Sequence, residues 1–196
     1  SHLASRLLTQ NYNVIGIDNL NNYYSVSLKK YRLKQLKKFK KFTFIKADLS
    51  KTLNLEKVLK KQKVSDICHL AAQAGVRYSI TNPGIYLKYN IDSFLNILEY
   101  CRKYNKTNLV YASSSSVYGA NKKVPFSVYD DVSNPVSLYA ATKRSNELMA
   151  ESYFHLYGLN SIGLRFFTVY GPMGRPDMAI WKFTESIINN KTIEVF

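Results

Sequence analysis

Each short β-rich run in this chain ends on an acid, a serine or a small residue and then gives way to a helical stretch. Asn13-Val14-Ile15-Gly16-Ile17-Asp18 and Phe42-Thr43-Phe44-Ile45-Lys46-Ala47-Asp48 both close on aspartate. Asp66 to Ala71 leads into Ala72-Gln73, Leu109 to Ala112 into a serine run at Ser113, and Ser161 to Phe167 into Thr168. Helical spacing of apolar residues predicts helices at Leu3 to Leu8, Leu28 to Phe39, Leu53 to Gln62, Tyr86 to Tyr104, Ser137 to Tyr157 and Met178 to Asn189, with a last strand opening at Thr192 to Phe196. Strands of roughly four to seven residues alternating with helices of roughly 10 to 20 predict an α/β fold. Its sheet should be Rossmann-like, doubly wound, mostly parallel and covered on both faces. Ligands in such sheets bind at the carboxyl ends of the strands. Asp18, Asp48, Ala71-Ala72-Gln73, the serine run and Phe167-Thr168 are therefore expected along one rim.

Composition removes several alternatives. With 196 residues, 46% of them apolar, the chain can bury a sizeable core and is neither a disulfide-stapled mini-protein nor a disordered basic tail. The net charge of +15 is local, because Lys29 to Lys63 holds fourteen basic residues against Asp48 and Glu56 alone. Its apolar residues at Leu28, Tyr31, Leu36 and Phe39, with lysines between them, predict a surface helix with a solvated basic face rather than a nucleic-acid module. Cys68 and Cys101 lack CxxC spacing and read as buried thiols, and no metal site is expected. No apolar run approaches the roughly 18 residues of a spanning helix, and no signal pattern opens the chain, so a cytoplasmic address without a membrane partner is expected.

The most informative spacing is Tyr139-Ala140-Ala141-Thr142-Lys143. Four helical residues advance about 400°, which places Tyr139 and Lys143 on one face, one turn apart. A phenol is a poor base at neutral pH, and a nearby ammonium favours the phenolate. About 25 residues earlier, Ser113-Ser114-Ser115-Ser116-Val117-Tyr118-Gly119 follows a predicted strand, where hydroxyls can donate to a sugar oxygen. No GxSxG elbow is present, which disfavours a hydrolase nucleophile. Asp18 closes its strand where an acid bonds the ribose of an adenine dinucleotide and repels a 2′-phosphate, favouring NAD over NADP. The eight glycines include no GxGxxG or GxxGxxG spacing, and no strand precedes the first helix.

Taken together, these motifs resemble the extended short-chain dehydrogenase/reductase, or NAD-dependent epimerase/dehydratase, family acting on nucleotide sugars, and most closely its UDP-glucuronate 4-epimerase branch. The resemblance also rests on Asp18 to Tyr24, His69 to Ser79, Asn146 to Met149 and Leu164 to Ala179. It implies a Rossmann core in which Asp18, Asn19, Asp48 and Leu49 line the adenosine end of NAD and Leu70, Ala71, Ala72 and Gln73 follow the cofactor inward. Phe167 would sit by the nicotinamide. Tyr139 and Lys143 match the catalytic pair and also touch NAD, Ser114 matches the catalytic hydroxyl, and Ser115 and Ser116 match adjoining substrate contacts. Related 4,6-dehydratases carry Asp-Glu where this chain has Ser115-Ser116, so elimination lacks its proton carriers. Thr168 and Arg175 match positions that grip a uronate carboxylate. Arg77 reads equally as a substrate contact or a structural ion pair, Asn90 as a backbone contact near the site, and His69 as a satisfied buried histidine.

The resemblance implies a substrate of UDP-sugar type, inversion at C4 through a 4-keto intermediate, and a homodimer built on the two long helices. It also implies that the chain starts after the phosphate-binding loop, omits the first strand and enters the substrate lobe near residues 172–196. On its own, such a chain is expected to bind NAD weakly. Two sibling activities, UDP-glucuronate decarboxylase and UDP-galactose 4-epimerase, share these motifs, and the alternative of another class is a basic nucleic-acid-binding module.

Overall fold

In the computed structural model, the residues described are 1–51, 55–59, 62, 64–104 and 107–193. The elements run α1 (His2–Thr9), β1 (Val14–Asp18), α2 (Val26–Leu36), β2 (Phe42–Lys46), α3 (Leu55–Val58), β3 (Asp66–His69), α4 (Tyr78–Thr81), α5 (Pro83–Tyr86), a π-helical segment Leu87–Asp92, α6 (Ser93–Lys103), β4 (Asn108–Ala112), a 3-10 turn Ser115–Tyr118, α7 (Leu138–Tyr157), β5 (Ser161–Leu164) and α8 (Ala179–Ile188). Among the described residues every strand pairing is parallel, in the orders β1-β2 and β3-β4-β5. These are the expected α/β alternation and parallel pairing. The chain divides into two compact units, one formed by residues 1–47 and those from Thr168 onward, the other by Asp48–Phe167.

In the first unit β1 pairs with β2 from Val14↔Phe42 to Asp18↔Lys46, with Ala47 donating onward to the Asp18 carbonyl at 3.3 Å. Ser25 caps α2 by accepting from the Leu28 amide, and Leu36 is buried. The expected basic face is present at Lys30, Lys34, Lys37 and Lys38, all exposed, but Tyr31 is exposed with them rather than packed. Lys29 and Arg32 turn away from solvent and are engaged inside the unit. The lysines at 60, 61 and 63, and the last residues of the expected strand at 192–196, lie outside the described residues.

In the second unit the face of the sheet carrying His69, Leu109 and Tyr111 is covered, with Phe94 against Tyr111 at 4.9 Å and against His69 at 5.7 Å. Parallel register puts Cys68, Val110, Ala112, Ile162 and Leu164 on the other face. There Ile162 and Leu164 are exposed, so the described residues of this unit cover one face and not both. The same alternation corrects the reading of Cys68, which is exposed, while Cys101 inside α6 is buried. Gly163 is required by its neighbour, since a Cβ there would lie 2.6 Å from the Tyr111 hydroxyl.

Three boundaries differ from the periodicity. The long helix expected from Tyr86 starts at Pro83, where a proline suits a first turn, and passes through the π-helical segment before α6. The last strand of the sheet stops at Leu164, after which the Phe166 carbonyl accepts from the Ser115 amide at 2.9 Å. The helix expected over Leu53 to Gln62 ends at Val58, with Leu59 already in a turn, and residues 52–54 before it lie outside the described residues. The helix carrying YxxxK holds its expected span. Ser137 accepts from the Ala140 amide at 3.1 Å, and Gly158 ends the helix with φ 65°.

Candidate active site

The buried side of α7 carries Ala140, Thr142, Lys143, Asn146 and Ala150, and Tyr139 stands half-buried one turn before Lys143. Lys143 is 4% exposed, and its ammonium donates to the Ala112 carbonyl at 2.8 Å. Burial pushes its pKa down to about 8. An ammonium has three N–H donors, and Ala112 is the one acceptor this group has among the described residues. The bond ties α7 to the end of β4, two residues before Ser114.

Ser114 is buried with extended backbone, and its hydroxyl caps the 3-10 turn, accepting from the Ser116 amide at 3.2 Å while donating to the Ser116 hydroxyl at 3.2 Å. Its proton is therefore committed to Ser116, and the hydroxyl must rotate to serve a ligand. Ser115 is fixed through its amide on Phe166. Beside Tyr139, at 6.1 Å and nearly edge-on, lies the fully buried ring of Tyr86, whose hydroxyl donates to the Gly75 carbonyl at 2.5 Å.

Two polar clusters hold this arrangement in place. Asn90, in the π-helical segment and 1% exposed, accepts from the Gln73 amide at 2.8 Å and donates to the Gln73 carbonyl and the Thr142 hydroxyl, each at 3.0 Å. Its own carbonyl accepts from Asn146 at 2.8 Å. Asn90 thus locks the Gln73 backbone to the helix that carries Tyr139 and Lys143, as the backbone contact expected of it. Glu147 accepts from Ser113 at 2.6 Å, from Arg144 at 3.0 Å and from Arg165 through two bonds of 3.0 Å. Burial opposes its charge, but the Arg165 and Ser113 hydrogen bonds outweigh burial and hold the carboxyl below its usual range. Sequence reasoning passed over Glu147 and Arg165 individually. The available signal was the position of Glu147 one turn beyond Lys143.

The cofactor-binding candidates of this unit follow the strands. Leu70, Ala71 and Ala72 leave β3 exposed, Gln73 is buried, and Phe167 stacks on Phe126 at 6.0 Å with most of its surface open. Asp48 turns back on Ser50, accepting from its amide at 3.0 Å and its hydroxyl at 2.6 Å, and the Leu49 carbonyl accepts from Asn96 at 2.7 Å. His69 is buried and neutral, its pKa lowered to about 3 by burial and by the Lys143 charge. Arg77 lies just before α4.

In the first unit Asp18 stands exposed at the end of β1 and accepts from the Leu20 amide at 2.6 Å, while Asn19 accepts from the Asn21 amide at 3.0 Å. Thr168 is exposed. Arg175 donates through Nε to Asp177 at 3.0 Å and through Nη2 to the other carboxylate oxygen, with its guanidinium 5.9 Å from the Tyr23 ring. Arg32 donates to the Tyr24 hydroxyl at 2.8 Å and to the carbonyls of Met173 and Gly174, which anchors the loop before Arg175. An apolar cleft of about 500 Å³ opens between this loop and α8, lined by Tyr170, Met173, Met178, Trp181, Thr184 and Ile188. Among the described residues no group of three His, Cys, Asp or Glu side chains can hold a metal ion.

All 196 residues match the model of the NAD dependent epimerase/dehydratase family. The chain is 57% identical over its full length to Protein CapI of Staphylococcus aureus, covering 58% of that protein. It is 47% identical over its full length to UDP-glucuronate 4-epimerase 2 of Arabidopsis thaliana, covering 45% of it. Among solved structures it matches UDP-glucuronic acid 4-epimerase from Bacillus cereus in complex with UDP-glucuronic acid and NAD, with 33% identity and a TM-score of 0.90 over all of this chain and 61% of the other. The chain therefore spans about half the length of the relatives it matches.

Proposed function

Because the chain belongs to the NAD dependent epimerase/dehydratase family, we propose that it forms the cofactor-binding and catalytic part of a UDP-glucuronate 4-epimerase. The observation that carries this reading is Lys143, a deeply buried ammonium with one carbonyl acceptor among the described residues, one helical turn from Tyr139 and tied to the end of the strand that leads into Ser114. A buried charge with unused donors is costly unless a ligand completes its shell. Two ribose hydroxyls of NAD fit that requirement, and the free carboxylate edge of Asp18 fits the ribose at the adenosine end. The exposed backbone at Leu70 to Ala72 fits a cofactor passing along the strand ends. NAD, when bound, supplies a reversible hydride acceptor for C4 of the sugar.

The residues have distinct tasks. Tyr139 takes the proton of the C4 hydroxyl and returns it, one helical turn from the buried Lys143 ammonium. Ser114 rotates away from Ser116 and donates to the oxygen that becomes a ketone, with Ser115 and Ser116 beside it against the sugar. Phe167 offers an open aromatic face to the nicotinamide. Glu147, the carboxylate nearest the serine run by hydrogen bonding, is saturated by two arginines and Ser113, so it is no proton carrier for water loss. Thr168 and Arg175 hold the uronate carboxylate, a guanidinium suiting bidentate binding, and so keep it out of line with the C4 carbonyl. That restraint separates epimerisation from loss of CO₂.

The same reading takes UDP-sugar as the partner and puts the start of a sugar-nucleotide lobe near residues 172–196, consistent with the cleft against α8. It makes the whole protein a cytoplasmic homodimer. Leu95 of α6 and Leu148, Phe154 and Leu156 of α7 are exposed and support pairing through those helices, and no described helix is long and apolar enough to cross a membrane. The test is NMR analysis of the product formed from UDP-glucuronate by the complete enzyme. A C4-inverted uronate lost in Tyr139→Phe supports the reading; a pentose points to the decarboxylase, and turnover of UDP-galactose alone to the neutral-sugar epimerase.

A further inference from the structure

Arg175 reaches its neighbour two residues on with one edge of its guanidinium and leaves the other edge unused. The group carries five N–H donors arranged as two forks, one formed by Nε and Nη2 and one by Nη1 and Nη2. Asp177 fills the first, with one oxygen on Nε at 3.0 Å and the other on Nη2. Nη1 has no partner among the described residues. Asp177 is itself held, because the Tyr23 hydroxyl donates to its Oδ2 at 3.2 Å, and the Tyr23 ring lies 5.9 Å from the guanidinium carbon. Pro176 between the two fixes one backbone torsion of the linking residue. Both side chains are about three-quarters shielded, with 29% and 27% of their surface exposed. A salt bridge this shielded orients its members more firmly than a solvated surface pair.

The charges around this pair leave room for a second anion. Lys29 feels the positive charges of Arg32 and Arg175 and the negative charge of Asp18. Lys29, Arg32 and Arg175 against Asp18 and Asp177 leave an excess of positive charge at this loop. A carboxylate arriving at the open fork meets Arg175 with Lys29 close enough to feel its charge, although Arg175 already has one acidic partner.

We propose that Asp177 is a positioning residue for sugar-acid recognition: it grips the inner edge of Arg175, with Tyr23 fixing its own carboxylate, and so presents the Nη1–Nη2 edge to the carboxylate of the substrate. This rests on the reading that Arg175 binds the uronate carboxylate. Asp177 touches no substrate and acts through the arginine. The opposite arrangement, in which Asp177 competes with the substrate for Arg175, makes a prediction of opposite sign.

The experiment compares affinities of the complete enzyme for UDP-glucuronate and for UDP-glucose, which lacks the carboxylate, in Asp177→Ala, Asp177→Asn, Tyr23→Phe and Arg175→Gln. Asp177→Ala is expected to weaken UDP-glucuronate about tenfold, the value of one charge-assisted hydrogen bond, and to leave UDP-glucose within about twofold. Asp177→Asn and Tyr23→Phe, which keep the fold's packing, should show smaller losses in the same direction, and the fraction of substrate released as CO₂ should rise with each loss. Equal weakening of both ligands, or tighter uronate binding in Asp177→Ala, overturns the proposal. Arg175→Gln separates the two layers: if it erases the preference for the uronate while the Asp177 variants do not, only the positioning role fails. If it leaves the preference intact, the carboxylate reading fails and the proposal with it.

Discussion

Replacing Lys143 by methionine should make the chain more stable at pH 7 while removing its use for a ligand. The ammonium sits at 4% exposure, and its pKa falls from 10.5 to about 8. At about 1.4 kcal/mol per pKa unit, burial penalises the charged form by about 3 kcal/mol. Methionine keeps the unbranched stem and loses one hydrogen bond to Ala112, which costs about 1 kcal/mol. A net gain of about 2 kcal/mol at pH 7 follows. The sign with pH is equally definite. Between about pH 8 and 10.5 the unfolded chain holds its Lys143 proton and the folded chain does not, so wild-type stability rises through that window. Below pH 8 both states are protonated and the penalty is complete. Urea unfolding of wild type and Lys143→Met at pH 7 and pH 10 measures both effects, since every other titration is common to the two proteins. The variant's advantage should shrink towards pH 10. A variant less stable than wild type at pH 7, or one whose advantage does not change with pH, would refute the idea that burial rather than pairing dominates at Lys143.

Other expectations are as direct. Glu147→Ala removes the acceptor of Ser113, Arg144 and Arg165 and should cost about 3 kcal/mol, measured by urea denaturation. Because the Glu147 pKa is lowered, its contribution is present above the ordinary carboxylate range and is lost as pH falls through the folded value, so the wild-type advantage over Glu147→Gln should fade in acid. Asn90→Ala strands the Gln73 backbone and should cost about 2 kcal/mol and raise amide exchange at Gln73. Gly119→Ala combines φ 57° with a Cβ placed 2.3 Å from the Asn134 carbonyl oxygen, and a drop of about 3 kcal/mol or failure to fold is expected in thermal unfolding.

The alternation of strands and helices was legible because each element carries its own period and punctuation. Ser137 and Gly158 bracket α7 by the chemistry of their caps, and both stand where the sequence places them. Boundaries set by tertiary contacts were not legible. Nothing local in Leu87–Asp92 announces a π-helical register, and Arg165 to Phe167 continue a β-rich pattern after the strand has ended at Leu164. The burial of Cys68 failed for a related reason. Its apolar neighbours along the chain say nothing about which face of β3 a helix covers, and the covered face belongs to His69. Lys29 and Arg32 sit in a run of lysines that composition alone assigns to solvent, and only the loop at Met173 and Gly174 and the ring of Tyr24 reveal their different use.

The residues proposed to carry the chemistry stood out in the sequence for the opposite reason: they make poor sense as packing. Tyr139 and Lys143 share a helix face with Ala140 and Ala150, where an apolar pair would bury surface at no cost in charge. The structure keeps the lysine there and builds around it, with Asn90 joining α7 to Gln73 and Glu147 joining it to Ser113 and Arg165. Each of those bonds secures backbone or side chains next to a proposed site residue, and none satisfies the lysine. A helix stabilised from so many sides yet left with an under-coordinated ammonium has had its stability spent on position. That ammonium is the place where a bound hydroxyl-bearing ligand gains most.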